Sequence, residues 1–264
     1  MFQFNYYINT MCNQKCSYCY ARADMKWNTI LNYGLIKLDI ETFKQYKHKS
    51  IISLIGGEPT LHPQIKTIMK NLTKTHHELH IYTNGTYTKK FDDAISKLFT
   101  WTFSYHGTET DTKLFIKNMK HLLPIAKVEL TIIAQNMDDE MYEFINDYNI
   151  NTVITFIHDS SKILPFQNID EKVLTMQGDN IRNMSKFYKT EHSYKGQLCD
   201  YKEIDILNGF MTSNECNMNI HKPFTIKNIN GIEPYNNICD KDFCPNDCAF
   251  LLPKKVIIWM NMIN

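Results

Sequence analysis

Three cysteines crowd the start of the chain in TMCNQKCSYCY: Cys12, Cys16 and Cys19. Thiolates spaced this closely converge on a cluster or a metal. Zinc takes four ligands, as CxxC-like pairs or as cysteine with histidine. No fourth candidate is near, since the next histidine is His48. A cubane of four irons needs a ligand on each iron. Three cysteines therefore leave one iron open, and an open iron takes substrate or cofactor. A small zinc knot is the alternative that spacing alone leaves standing.

Two further patterns carry chemistry. Residues 51–59 read IISLIGGEP, a buried strand that ends in Gly56, Gly57 and Glu58. Glycines let a backbone come close to a ligand, and a carboxylate pairs with an ammonium group. No Gly-Lys-Ser/Thr follows and no GxGxxG occurs, so this is neither a P-loop nor a dinucleotide fingerprint. The other pattern is at the rear, where Cys199, Cys216, Cys239, Cys244 and Cys248 follow a long stretch without cysteine. Asn208 and Gly209 lie between alternating apolar residues, a hairpin signal that would bring Cys199 and Cys216 onto neighbouring strand ends. A structural zinc site is the alternative there.

The elements that must position these residues alternate. Strands are expected over 2–9, 50–55, 78–83, 100–105, 126–134 and 152–157. Helices are expected over 38–47, 63–75, 91–98, 111–122 and 138–148, the first with Asp39 and Glu41 in its first turn. Six β-then-α units imply a parallel sheet covered by helices, able to curl into a partial (β/α)6 TIM-like barrel. Functional side chains then gather at the carboxyl ends of the strands. Ser104 and His106 end the fourth strand there, with Tyr105 pointing the other way, and Gln135 and Asn136 follow the fifth. His106 is a candidate substrate contact or proton carrier. HHELH at 76–80 reads as a solvated helix end rather than a metal site. Residues 1–160 form the barrel, 161–198 a connector with a helix near 180–188, and 199–264 a small cysteine-rich module.

The front triplet resembles the signature of the radical SAM superfamily, with Tyr18 as the aromatic residue before the third cysteine. The resemblance covers about residues 2–157. It implies a [4Fe–4S] cluster on Cys12, Cys16 and Cys19 whose open iron chelates S-adenosylmethionine (SAM). It also implies a 5′-deoxyadenosyl radical that abstracts a substrate hydrogen. Gly56, Gly57 and Glu58 look like the family's GGEP strand, which meets the SAM amino group. IYTNG at 81–85 resembles its third strand, placing Thr83 and Asn84 near methionine or ribose. Ser104 and Gln135 resemble further cofactor contacts. The rear pattern, Cys-x9-Gly-x6-Cys with a later Cys-x3-Cys, resembles SPASM and twitch modules. Five cysteines instead of seven, and no CxxC, imply one auxiliary iron–sulfur cluster. The expected partners are a low-potential electron donor, such as flavodoxin or ferredoxin, and a peptide or protein side chain as substrate. A small molecule such as a nucleotide or its base is the rival substrate. A non-catalytic iron–sulfur or zinc protein is the rival of another class.

Composition agrees with an enzyme core. The 264 residues are 43% hydrophobic and 12% aromatic, a globular composition. A formal net charge of +1 gives no general grip on a phosphate backbone, so no bulk nucleic acid is expected. The first residues lack a signal-peptide pattern, and the apolar run at 256–260 is too short to span a bilayer. A cytoplasmic protein without a membrane is the expectation.

Overall fold

The computed structural model describes residues 2–16, 19, 30–133, 137–155, 158–159, 162–163, 173, 176, 181–183, 198–199, 203–207, 210–213, 224–231 and 237–238. The strands are β1 (Gln3–Asn9), β2 (Ile51–Gly56), β3 (Glu78–Thr83), β4 (Phe99–Tyr105), β5 (Lys127–Ile133) and β6 (Asn151–Thr155). Short strands follow: β7 (His158–Asp159), β8 (Lys162–Ile163), β9 (Ile181–Asn183), β10 (Leu198–Cys199), β11 (Glu203–Leu207), β12 (Phe210–Ser213), β13 (Phe224–Thr225) and β14 (Asn237–Ile238). The helices are α1 (Tyr33–Gln45), α2 (Ile65–Leu72), α3 (Asp93–Ser96), α4 (Thr112–Leu122) and α5 (Asp139–Tyr148).

β1 to β6 pair in parallel in sequence order, which bears out the α/β reading. β9 extends the sheet beside β6 and β11 extends it beside β1, both in parallel. β11 and β12 form an antiparallel hairpin in which Leu207 pairs with Phe210; Asn208 and Gly209 lie outside the described residues.

Helix caps fix where the crossovers begin. Asn32, Asp92, Asp111 and Asp138 each accept a backbone N–H of the helix that follows. α1 starts five residues before its expected position and has no acidic first turn. Asp39 lies instead mid-helix and buried, where it accepts a 2.6 Å hydrogen bond from the Tyr6 hydroxyl. The expected helix over 91–98 is a single turn, α3. The helix expected near 180–188 is corrected at 181–183, which form β9: pairing with the open edge of β6 outweighs local helix propensity.

The two faces of the sheet differ in kind. Register aligns Phe4, Ile52, Leu79 and Phe99 on one face, and Tyr6, Leu54, Ile81, Trp101 and Val128 beside them. These residues join α1, α2, α4 and α5 in one hydrophobic core. Ile36, Ile40 and Phe43 of α1 face β1, with the Phe43 ring 5.8 Å from Phe4 and 5.5 Å from Tyr6. The second face is polar: Asn5, Ser53, His80, Thr100 and Lys127 form one register row across β1 to β5. No helix among the described residues is long and apolar enough to cross a membrane.

Candidate functional site

β1 delivers the chain to the carboxyl edge of the sheet, where residues 10–16 cross the end of β2. Two backbone hydrogen bonds hold them there, Gly57 N–H to Asn9 C=O at 3.1 Å and Glu58 N–H to Met11 C=O at 2.6 Å. The contact leaves no room for side chains on the glycines. A Cβ on Gly57 would stand 2.2 Å from the Met11 carbonyl oxygen, and one on Gly56, whose φ is +148°, 2.1 Å from that of Asn9. The glycine pair thus admits the cysteine loop's own backbone, a role that spacing did not specify.

Side chains pin the same loop to the ends of β3 and β4. The Asn84 amide donates to Asn13 Oδ1 at 2.8 Å and to Cys12 Sγ at 3.7 Å. Asn13 donates to the Thr86 hydroxyl at 2.8 Å, and that hydroxyl donates to Asn84 Oδ1 at 2.7 Å. Gln14 donates to Thr110 Oγ1 at 3.3 Å. Cys16 is buried, Cys12 and Cys19 are half-buried, and none of the three is in a disulfide. The Cys19 N–H closes a turn onto the Cys16 carbonyl at 3.2 Å.

Glu58 is fully buried, and its carboxylate is engaged by four donors of the chain itself. Oε1 accepts from Thr60 N–H at 3.0 Å, the Thr60 hydroxyl at 2.6 Å and the Thr83 hydroxyl at 2.9 Å. Oε2 accepts from Asn84 N–H at 2.6 Å. Burial raises the Glu58 pKa, and these hydrogen bonds pull it back. Glu58 therefore fixes the end of β3, and with it Asn84, against the cysteine loop. Asn9 adds a 3.1 Å bond from its amide to the Glu58 carbonyl. Lys89 caps the turn after Pro59 through the carbonyls of Thr60 and His62, each at 3.0 Å.

The residues present suit an iron–sulfur cluster. Burial pushes the Cys12 thiol up to about 11, and the charges of Glu58, Cys16 and Cys19 push the same way, so the three sulfurs feel one another. Metal binding must then displace a proton. A structural zinc site takes four ligands, and this loop offers three thiolates. A cubane instead bonds each thiolate to a different iron.

Ser104 is half-buried at the end of β4 on the polar face, and Tyr105 points into the core, with its ring 5.5 Å from Phe115. His106 follows, its N–H held by Thr110 Oγ1 at 3.0 Å, and burial pushes its pKa down to about 4. The HHELH segment is corrected in part. His76 is exposed, but His77 is buried with Nε2 2.8 Å from the Phe43 carbonyl oxygen, and His80 is buried on the polar face. Asn13, Gln14, Thr86 and Thr110 were missed by the sequence reading; only the Asn84–Gly85 turn signal pointed toward them. Cys199 lies in β10, whose backbone pairs with β14 so that Cys199 stands opposite Asn237, two residues before Cys239 in sequence. β10 and β14 form a two-stranded sheet of their own, while β11 and β12 belong to the main sheet. Tyr18, Gln135, Asn136, Cys216, Cys239, Cys244 and Cys248 lie outside the described residues.

Comparisons with known proteins converge on the same loop and sheet. Residues 6–107 match the family model described as the radical SAM superfamily. An S-adenosylmethionine-dependent nucleotide dehydratase of Flammeovirga pacifica is 24% identical over 205 residues, 72% of this chain and 69% of that protein. Among solved structures, native anSMEcpe with bound AdoMet aligns at a TM-score of 0.61 with 12% identity, over 97% of this chain and 82% of that one. SuiB of Streptococcus suis bound to its precursor peptide SuiA aligns at 0.59 with 14% identity, over 88% of this chain and 65% of that one, so this chain spans under two thirds of SuiB.

Proposed function

We propose, from the premise that this chain is an enzyme of the radical SAM class, that it reductively cleaves SAM and abstracts a hydrogen from a nucleotide. The relative matched by sequence carries the substrate reading, because it is a nucleotide dehydratase and aligns over most of both chains. Cys12, Cys16 and Cys19 hold the [4Fe–4S] cluster. When bound, the cluster and SAM supply a 5′-deoxyadenosyl radical.

The chain's own residues hold and shield that chemistry. Gly56 and Gly57 seat the cysteine loop at the sheet edge. Glu58 locks Thr83 and Asn84 beneath it, and the Asn84 amide meets the Cys12 sulfur. Hydrogen bonds to ligand sulfurs raise a cluster's reduction potential. Because the Glu58 carboxylate is taken up by internal donors, the GGEP segment would meet the SAM amino group through backbone carbonyls. Ser104, His106 and Gln135 are the cofactor- or substrate-facing candidates beyond it.

A second reading keeps a peptide as substrate. The rear cysteines and the β11–β12 hairpin favour it, and SuiB was solved with a precursor peptide. In either reading Cys199, Cys216, Cys239, Cys244 and Cys248 supply an auxiliary iron–sulfur cluster, a low-potential ferredoxin or flavodoxin delivers the electron, and the enzyme works in the cytoplasm.

Anaerobic reconstitution with iron and sulfide, followed by SAM, dithionite and either nucleoside triphosphates or peptides, tests the proposal. We expect 5′-deoxyadenosine in amounts that rise with a nucleotide, and none from Cys12→Ala. Absence of 5′-deoxyadenosine from a protein with its clusters intact would overturn the assignment, and a rise with peptides alone would select the second reading. Cys199→Ala should remove about four irons per chain if the rear cluster is a cubane.

A further inference from the structure

A parallel sheet is normally apolar on both faces, because both are buried. Here the second face is buried and polar. Ser53, His80 and Thr102 are 0%, 2% and 1% exposed. Ser53 Oγ, His80 Nε2 and Thr102 Oγ1 have no hydrogen-bond partner. Seven buried side-chain atoms among the described residues lack partners, and these three share one face of three adjacent strands. Ser53 stands beside His80 in register, and Thr102 stands beside Tyr82, one pleat nearer the cysteine edge. His80 is three residues short of Thr83 and Thr102 two short of Ser104, which places the group roughly 7–10 Å below the strand ends.

We propose that Ser53, His80 and Thr102 form a substrate subsite for an uncharged, amide-type edge, an N–H beside a C=O as in a nucleobase or a side-chain carboxamide. The proposal rests on the radical SAM reading and deepens it by naming the group that this face recognises. The two hydroxyls donate or accept, and the neutral imidazole Nε2 does either according to its tautomer. Three neutral groups of this kind complement an edge that carries both a donor and an acceptor. An anion would need a free cation. The cation of the row, Lys127, is 3.0 Å from the Glu129 carboxylate, and that carboxylate is in turn committed against an ammonium ligand. Leaving buried polar atoms without a partner in the chain costs stability, a cost that a ligand's hydrogen bonds would remove. Sites that contradict folding rules in this way are often functional.

The experiment compares the reconstituted full chain with Ser53→Ala, Thr102→Val and the hydroxyl-keeping Thr102→Ser. Thermal midpoints are read alone and with each of the four common nucleosides, a glutamine-containing peptide or inorganic phosphate. In the parent, a nucleoside or the peptide should raise the midpoint, and which of them does so tells a base from a carboxamide. Ser53→Ala and Thr102→Val should match or exceed the parent's ligand-free midpoint and weaken that ligand on the order of tenfold. Thr102→Ser should bind like the parent. Three results would overturn the subsite: a parent that no nucleoside or peptide stabilises, variants that lose ligand-free stability yet bind unchanged, or stabilisation by phosphate lost in the same variants. Formation of 5′-deoxyadenosine by the parent, measured separately, decides the radical SAM reading whatever these midpoints show.

Discussion

The two faces of the sheet are built from the same strands and obey opposite rules. On the helix-covered face, Phe4, Leu54, Ile81, Trp101, Phe103 and Leu130 are buried and packed. A Trp101 ring centroid stands 5.2 Å from that of Phe91 and 6.4 Å from that of Phe103. On the other face, equally buried positions carry Ser53, His80 and Thr102 with polar atoms left unpaired. The first face has the composition of a core that exists to be stable. The second departs from it midway along β2, β3 and β4, below the edge that carries the cysteine loop. The difference teaches that burial alone does not mark a residue as structural; the pairing of its polar atoms does.

The largest effect should come from the helix-covered face. Trp101→Ala removes a fully buried ring and the 3.1 Å bond from its indole N–H to the Ser96 carbonyl. A loss of about 3–5 kcal/mol is expected, read as a lower urea midpoint. The slope of stability against pH should stay parallel to that of the parent. A cost below 1 kcal/mol would break the comparison, because it would mean that this face is not the one holding the sheet together.

The polar face should show itself through pH. Burial, reinforced by the charge of Lys127, pushes His80 from its usual 6.5 down to about 4. The folded state therefore binds fewer protons than the unfolded state between these values. His80's contribution is fully present above pH 6.5 and is lost as pH falls toward 4, by about 3 kcal/mol. His62 and His77, also depressed by burial, tilt the curve the same way. Urea midpoints at pH 7, 5.5 and 4 should thus fall steeply in the parent and less steeply in His80→Leu. Equal slopes in the two proteins would remove His80 from the buried neutral set.

Where the faces meet, at the cysteine edge, the effect is smaller in stability and sharper in chemistry. Gly57→Ala places a methyl 2.2 Å from the Met11 carbonyl oxygen, and backbone cannot yield as a flexible side chain does. About 1–3 kcal/mol of destabilisation is expected, together with fewer irons bound per chain on reconstitution. Full iron content in this variant would show that the loop has another way to seat itself.

Much of this contrast is written in the sequence, and its gaps have physical causes. The alternation of LHIYT and WTFSY already assigns Leu79, Ile81, Trp101 and Phe103 to one face, and His80 and Thr102 to the other. His80 was passed over because HHELH invites reading as a unit, whereas its three histidines occupy three environments. The glycines were legible as a close approach, but their partner, the Met11 and Asn9 backbone, lies more than forty residues earlier in the chain. The start of α1 was hidden because Gly34 weakens helix propensity while Asp39 and Glu41 imitate a first turn. β9 was illegible because its strand character comes from β6, which no local pattern contains.

The smallest test lies inside the helix-covered face, at a buried carboxylate. Asp39 accepts the Tyr6 hydroxyl at 2.6 Å, and burial raises its pKa while that bond lowers it. A carboxyl whose folded pKa is raised stabilises the fold only at low pH, and loses that contribution as pH rises through the folded value. The ionised carboxylate is therefore a net cost at neutral pH. Asp39→Asn keeps an acceptor for Tyr6 and removes the charge. It should raise the urea midpoint at pH 7, with the gain shrinking as pH falls through the folded pKa of Asp39. The packing of Phe43 and Ile40 around it should not change, since the side chains are nearly isosteric. If Asp39→Asn instead loses stability at pH 7, the charge on Asp39 is contributing to the fold, and the helix-covered face tolerates an unpaired ion as readily as the other face tolerates unpaired hydroxyls. The contrast between the two faces would then rest on composition alone.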